Sequence, residues 1–384
     1  MPASQSDCAR SALAVDVLSA RRPPFRADHI GSLLRPSQLR QAFRDHSSGR
    51  LPDAGFRAIQ DDAIRAVVAL QTEVGFGVVN DGEYRRGSYW GRFVERTHGL
   101  DVREALFKFR DDEGQETEFT APFVEASVRR EAAIAVDEVR FVRALTEKVV
   151  KVTLPAPSTM HFWRGLRFAE PGVYENASAF FEDLGRVYRA EIADLAQAGA
   201  RYVQLDEVAL AVLCDPTARE KVKAYGLEPE DLVGLYVDAI NGAVADRPPG
   251  LVIGVHMCRG NFKGKYLSEG GYDSVAERLF GSANVDHFLL EYDTARAGDF
   301  APLRFVPKTK GVVLGLISSK TPALEPLELL KRRVADAARY VDGERLALSP
   351  QCGFASTVAG NPITEADMRA KLALVVEGAR SIWG

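Results

Sequence analysis

The sequence predicts an α/β fold of the (β/α)8 TIM barrel kind, and three observations lead there. Short apolar runs rich in β-branched residues alternate with longer amphipathic stretches, the pattern of a parallel sheet built from βα units. Eight such runs lie between residues 25 and 351. Runs such as "GVVLGLIS" (311–318) stay apolar throughout, as a strand covered on both faces must. In such a barrel the chemistry sits at the C-terminal strand ends.

Residues 1–24 read as an arm, because "SQSDCARSALAVDVLSARRPP" is short, mixed in character and closed by two prolines. Its arginines hint at a transit peptide, and Asp7 and Asp16 argue against one. Residues 25–384 then form a single barrel domain. Its strands are expected at "FRADHI" (25–30), "GFGVVND" (75–81), "KVVKVTLP" (148–155) and "RYVQLD" (201–206). The remaining four are "GLVIGVHM" (250–257), "HFLLEYD" (287–293), "GVVLGLIS" (311–318) and "ERLALSPQ" (344–351). Helical periodicity marks "DAGFRAIQDDAIRAVVALQTEVG", "SAFFEDLGRVYRAEIADLAQAGA" and "EPLELLKRRVADAARYVDG". Residues 82–147 interrupt the even spacing as a long insert after the second strand, with a hairpin pattern in "FKFRDDEGQETEFTAPFVE". An insert at the active face is a lid candidate or a solvated decoration, and Tyr84, Arg85, Arg86 and Trp90 are its notable side chains.

Composition narrows the function. With 49 basic and 53 acidic residues and a formal charge of −4, the chain has no general field for gripping phosphate backbones, so neither nucleic acid nor a membrane surface is an expected partner. No apolar run approaches the ~18 residues a membrane helix needs, so a cytoplasmic location is expected. Four scattered cysteines do not form a disulfide framework. Cys8 and Cys214 lack polar company and read as a tail and a core residue.

In "HMCRGN", His256 and Cys258 stand two apart at a strand end, which lets both side chains converge on one ion. A histidine beside an apolar run is more often a core residue. Glu291 in "LLEYD" and Cys352 in "SPQCG", at the ends of the sixth and eighth strands, tip the balance toward a metal site. Histidine, carboxylate and two thiolates make a tetrahedral set suited to zinc. Ligands so far apart in sequence do not staple a small loop, which points to catalysis. Two thiolates and a carboxylate neutralise much of the ion's charge, so activating a thiol for alkylation suits it better than generating hydroxide.

These motifs, with "HIGSLLRP" (29–36), "DGE" (81–83) and "QLDEVAL" (204–210), resemble the catalytic barrel of the cobalamin-independent methionine synthase family and its short relatives over about residues 25–384. The resemblance implies zinc held by His256, Cys258, Glu291 and Cys352, activating a homocysteine thiol for attack on a methyl group, with the glutamate yielding to the thiol. It implies that Ser32 and the backbone around Gly31 meet the amino-acid carboxylate, and that Glu83 and Asp206 pair with the ammonium. Glu207 should face away from that site.

The sequence departs from the family's pattern in three places. It is expected to lack the N-terminal second barrel that helps engage polyglutamylated folate. Val208 replaces a proline, and Ser318-Ser319 replaces a His-Ser whose histidine is a candidate acid for the leaving nitrogen. His161 could supply that proton instead, with Trp163 or Trp90 stacking on a flat donor; methyltetrahydrofolate and methylcobalamin are both donor candidates. The competing readings are alkylation of another thiol such as coenzyme M, a folate- or corrinoid-binding barrel with structural zinc, and a decarboxylase.

Overall fold

The structure, a computed structural model, describes residues 25–105, 109–110, 116–117 and 119–384. The arm expected over residues 1–24 lies outside the described residues. The strands are β1 (Val78–Val79), β2 (Thr97–Glu104), β3 (Phe109–Arg110), β4 (Glu116–Thr117), β5 (Thr120–Arg130), β6 (Val149–Pro155), β7 (Tyr202–Glu207), β8 (Val252–Met257), β9 (His287–Glu291), β10 (Gly311–Ile317) and β11 (Leu346–Pro350).

A curled parallel sheet of seven strands, ordered β1-β6-β7-β8-β9-β10-β11, forms the centre. Neighbours in space are neighbours in sequence once the insert is set aside, the simplest outcome of successive βα crossovers. Residues of β7, β8, β9, β10 and β11 are buried on both faces, which accounts for the continuous apolar run of β10 and the mainly apolar ones of β8, β9 and β11. Amphipathic helices cover the sheet, among them Asp53–Val74, Ala177–Gln197 and Glu365–Trp383. The Asn176 side chain caps the second of these by accepting from the Ala179 N–H, and Thr364 and Asp367 form a reciprocal capping box on the third.

The two earliest expected strands are shorter than the apolar pattern suggests. In the first, only Ala27 bridges to Leu348 of β11, with the Asp28 N–H donating to the Leu348 carbonyl at 2.9 Å. The chain then leaves that edge. Gly31, at φ 145°, ends the extended run, and the Leu33 N–H donates to the Gly82 carbonyl beyond β1. In the second, the Gln71 side chain takes both backbone groups of Asn80, at 2.9 and 2.8 Å, where a ladder would have continued.

At the N-terminal ends of the strands a buried ionic group fills the interior. Lys151 Nζ donates to Asp28 Oδ1 at 3.0 Å and to the His29 carbonyl at 2.6 Å, and the Tyr202 hydroxyl lies 3.3 Å from Asp28 Oδ2.

The insert carries two antiparallel strand pairs between the helices Gly91–Glu95 and Val136–Arg143. β2 pairs with β5 from Thr97–Arg130 to Glu104–Thr120, and β3 pairs with β4, where a hairpin was expected; residues 111–115 lie outside the described residues. The pairing of β2 was not foreseen, because Gly99, at φ 84°, shifts its register and breaks the alternation. Two clasps hold the insert over the C-terminal strand ends: Val124 exchanges backbone hydrogen bonds with the Phe168–Glu170 segment, and Ser88 bridges to Thr357. Among the described residues no helix is long and apolar enough to cross a membrane.

Candidate metal centre

His256 near the end of β8, Cys258 just after it, Glu291 ending β9 and Cys352 just after β11 are all buried, and each presents a ligand atom within 4.8 Å of the others. Position in the sheet explains the convergence, since β8, β9 and β11 all end at the same side of a curled parallel sheet. The two Sγ atoms stand 3.4 Å apart. His256 Nδ1 lies 3.2 Å from the Leu289 carbonyl, which can only accept, so the proton sits on Nδ1. Nε2 is left as a buried lone pair with no hydrogen-bond partner. That is the arrangement by which a backbone carbonyl behind the ring orients a metal-binding imidazole.

The electrostatics fit a cation. Burial pushes the Glu291 carboxyl up to about 7, even though its Oε1 accepts from the Arg259 N–H at 2.7 Å. The hydrogen bond from Cys258, followed by burial, pushes the Cys352 thiol well above its usual range. Burial also drives the His256 imidazole down to about 3, so its lone pair is available at neutral pH. The Cys352 thiol and the Glu291 carboxyl, both held protonated by their surroundings, give up their protons most readily to a positive charge. A borderline-soft tetrahedral set of this kind suits zinc.

Beside the cluster lies a cavity of about 420 Å³, whose lining includes Ser32, Glu83, Asp206, His256, Cys258 and Cys352. Gly31 makes its wall possible: a Cβ there would stand 2.7 Å from Thr153 Cγ2 and 2.9 Å from Glu83 Oε1. Gly353 does the same for Ser32, whose Oγ would lie 2.0 Å from an added Cβ. Glu83 is held at φ 62°, unusual for a residue with a side chain and typical of strain kept at a functional position. Its Oε1 accepts from the Thr153 hydroxyl at 2.8 Å, while Oε2 is buried with no partner. Burial, and then the neighbouring Glu83 charge, push Asp206 up to about 8. Such a pair of carboxyls is a receptor for one cation such as an ammonium.

Comparison with known proteins fits this arrangement. Residues 25–380 match the family described as cobalamin-independent synthase, catalytic domain. The chain belongs to that family. It is 38% identical over 367 residues to the uncharacterized protein YxjH of Bacillus subtilis, covering 94% of this chain and 96% of that one. It also aligns with a solved structure described as a putative vitamin-B12 independent methionine synthase from Listeria monocytogenes, with 32% identity, a TM-score of 0.76, and coverage of 94% of this chain and 99% of that one. A 5-methyltetrahydropteroyltriglutamate–homocysteine methyltransferase of Thermosynechococcus vestitus is 25% identical over 332 residues, covering 86% of this chain and 40% of that relative.

Against the rest of the synthase family's pattern, several expected roles change. His161 was expected as a proton donor. Its ring is instead packed against Phe168 at 4.6 Å and Phe181 at 5.7 Å, its Nδ1 is 2.9 Å from the Tyr236 hydroxyl, and it is not among the described residues lining the cavity. Burial holds it down to about 4, so it is neutral as well as remote. In the Ser318-Ser319 pair, Ser319 is tied by its hydroxyl to the Gly353 carbonyl at 2.9 Å. Tyr84, Arg85 and Arg86 belong to the scaffold: the first bonds the Leu34 carbonyl, the second pairs with Asp61, and the third pairs with Glu138 at 2.6 Å. Glu207 faces away as expected, accepting from the Ser158 hydroxyl at 2.6 Å and the Leu210 N–H at 2.8 Å. Trp90 and Trp163 do line the cavity.

Other residues escaped the sequence reading. Gln204 donates to Asp206 Oδ1 and to the Ile30 carbonyl, both at 2.6 Å, fixing the carboxyl against the first segment. Its spacing of two from Asp206 on a strand was the available signal. Asn261, donating to the Gly353 carbonyl at 2.7 Å, and the aromatic residues Tyr89, Phe119 and Phe262 lie on loops, where no periodicity marks them.

Proposed function

We propose that this protein is a zinc-dependent S-methyltransferase that methylates homocysteine or a closely similar thiol amino acid, with residues 25–384 working as one eightfold barrel and the 82–147 insert as its lid. The observation that carries this reading is the meeting of the unpartnered His256 Nε2 with two thiols and a carboxyl beside an amino-acid-sized cavity.

His256, Cys258, Glu291 and Cys352 would hold the ion. Zinc bound there supplies Lewis acidity that lets an incoming thiol act as thiolate at neutral pH. The protein's own residues do the rest. Glu83 and Asp206 pair with the substrate ammonium, and the Ser32 hydroxyl with the backbone around Gly31 receives its carboxylate. That pairing aims the thiol at the metal side of the cavity and lets Asp206 give up its proton. The hairpin, clasped over the strand ends, excludes water from the departing methyl group.

Coenzyme M carries no ammonium and would leave the two carboxyls unanswered. Methylcobalamin is set aside as donor, since the family is defined by its independence of cobalamin. The donor in the Thermosynechococcus relative's name is a methylated pterin. The test is the zinc X-ray edge spectrum with and without homocysteine. A shift on adding homocysteine and none on adding coenzyme M is expected; a spectrum indifferent to both overturns the assignment.

A further inference from the structure

A thiol that takes a methyl group from an amine must lose a proton, and the nitrogen left behind must gain one. The metal centre answers for the first. For the second, His161 is remote, and no histidine other than His256 lines the cavity among the described residues. Glu83 and Asp206 are occupied by the substrate ammonium, and Asp206 releases its proton in forming that pair. The thiols Cys258 and Cys352 belong to the metal. The described lining residues then leave aliphatic hydroxyls, an amide, indoles and one phenol, Tyr89, and of these the phenol is the strongest acid.

Tyr89 is also placed for the task. Its ring is partly exposed along the cavity, while its hydroxyl is buried with no hydrogen-bond partner. A buried hydroxyl left unsatisfied is costly, which marks it for a partner that arrives with the substrates. The backbone fixes it there: the Tyr89 N–H donates to the Ser356 carbonyl at 3.3 Å, and Ser88 bridges to Thr357. Burial first, and then the charges of Cys258, Asp206 and Glu207, hold the phenolic proton on oxygen well above the usual range, with the Thr159 hydroxyl pulling the other way. The hydroxyl is thus within reach of the metal-site thiol and of the carboxyl that takes the ammonium, the two groups between which the substrate sulfur is aimed. On its other side stands the aromatic wall. Trp90 is the next residue, and Trp163, which Phe119 meets edge to face at 5.0 Å, offers a surface on which a flat donor stacks.

We propose that Tyr89 is the proton donor to the departing nitrogen of the methyl donor. The inference rests on the thiol-methyltransferase reading, with a methylated pterin as donor, and supplies the acid that the reaction lacks. The acceptor thiol first loses its proton to solvent. Its sulfur then forms a bond to the methyl carbon as the carbon–nitrogen bond breaks; that bonding pair stays on nitrogen, which takes the phenolic proton. A developing nitrogen anion is far more basic than a phenolate, so the transfer runs downhill even from a tyrosine held above its ordinary range. The tyrosinate regains from solvent the proton that the thiol shed. Thiol and N-methyl amine become thioether and amine, so atoms and charge balance without an oxidant or reductant.

The test uses the zinc-loaded full chain with homocysteine in single turnover and two methyl donors offered separately. One is 5-methyltetrahydropteroyltriglutamate, the donor in the Thermosynechococcus relative's name, whose nitrogen needs a proton; the other is methyl iodide, whose leaving iodide does not. Tyr89→Phe keeps the ring and removes the proton. Its rate from the pterin should fall at least about a hundredfold, the usual worth of a general acid, while its rate from methyl iodide stays within about twofold of the wild type. The zinc-edge shift on adding homocysteine should be the same in both proteins. A second comparison does not depend on how the variant folds: in heavy water the wild-type reaction with the pterin should slow by about twofold relative to the reaction with methyl iodide. A variant that keeps the pterin rate, a variant that loses both rates together, or equal solvent effects on the two donors overturns the assignment. So does a wild type that accepts methyl iodide alone, and in each of these cases thiol activation stands. An edge indifferent to homocysteine removes both.

Discussion

Two buried polar groups occupy opposite ends of the interior of the same curled sheet, and they are put together on opposite principles. At the lower end, Lys151 satisfies Asp28 and the His29 carbonyl, with Tyr202 closing the group. Positive and negative members are both supplied by the chain. At the upper end, two thiols, a carboxyl and a bare imidazole nitrogen are gathered, and the positive side chains whose charge acts on Glu291, Lys320 and Arg259, leave the His256 Nε2 lone pair without a partner. The first needs nothing more and can only stabilise or specify the fold, whereas the second is a demand addressed to something outside the polypeptide. Internal satisfaction separates scaffold from site more cleanly than burial or polarity does, since both groups are buried and polar.

That contrast can be broken first at the lower end. Lys151→Met should cost about 3–5 kcal/mol of stability, the usual penalty for orphaning one partner of a buried pair, while leaving zinc content unchanged. Urea unfolding and metal analysis measure the two effects on one sample. A loss of zinc at unchanged stability would erase the distinction. At the upper end, Cys352→Ser should weaken zinc by about a hundredfold or more, ~2.7 kcal/mol, abolish methyl transfer, and barely move the unfolding curve of the metal-free protein. Competition with a chromogenic chelator gives the affinity.

Asp206→Asn should weaken norleucine, which has the amino-acid head group and no thiol, by about thirtyfold, ~2 kcal/mol, as read by calorimetry. The last effect is a slope. Asp206 must ionise to pair with an ammonium, and its carboxyl is pushed up to about 8. Norleucine affinity should therefore rise by up to about tenfold per pH unit from pH ~6 and level off above ~8, and the slope should vanish in Asp206→Asn. The sign for stability is the reverse. Between about pH 4 and pH 8 the folded protein keeps a proton on Asp206 that the unfolded chain has already released, so the ligand-free protein should lose stability as pH rises through that window.

Much of this arrangement was legible from the sequence. The strands 149–155, 202–207, 252–257, 287–291, 311–317 and 346–350 fall within two residues of the expected runs, because a strand buried on both faces carries apolar residues at successive positions and not only at alternate ones. His256, Cys258, Glu291 and Cys352 could be placed together because each sits at the end of such a run, and a parallel sheet collects those ends on one side. What stayed hidden depends on side chains replacing backbone. The expected strand at 75–81 shrinks to two residues because Gln71 takes over its hydrogen bonds, and no propensity encodes that exchange. His161 misled for a related reason: its distance in sequence from a strand end says nothing about which way a loop turns, and here the loop turns it into a cluster of rings. The aromatic wall was only half visible, since Trp90 and Trp163 stood out and Phe119 and Phe262 did not.

The Ala27–Leu348 bridge has a further consequence, one of timing. It joins the first described segment to the last strand, and both ends furnish the site: Gly31 and Ser32 on one side, Cys352 and Gly353 on the other. During synthesis His256, Cys258 and Glu291 emerge while the fourth donor does not yet exist, and the cavity wall at Ser32 has nothing to lean against until Gly353 arrives. On the proposed function the four-donor set is complete only once the last strand has been made, so a chain that ends before Cys352 should hold zinc more weakly than the full chain.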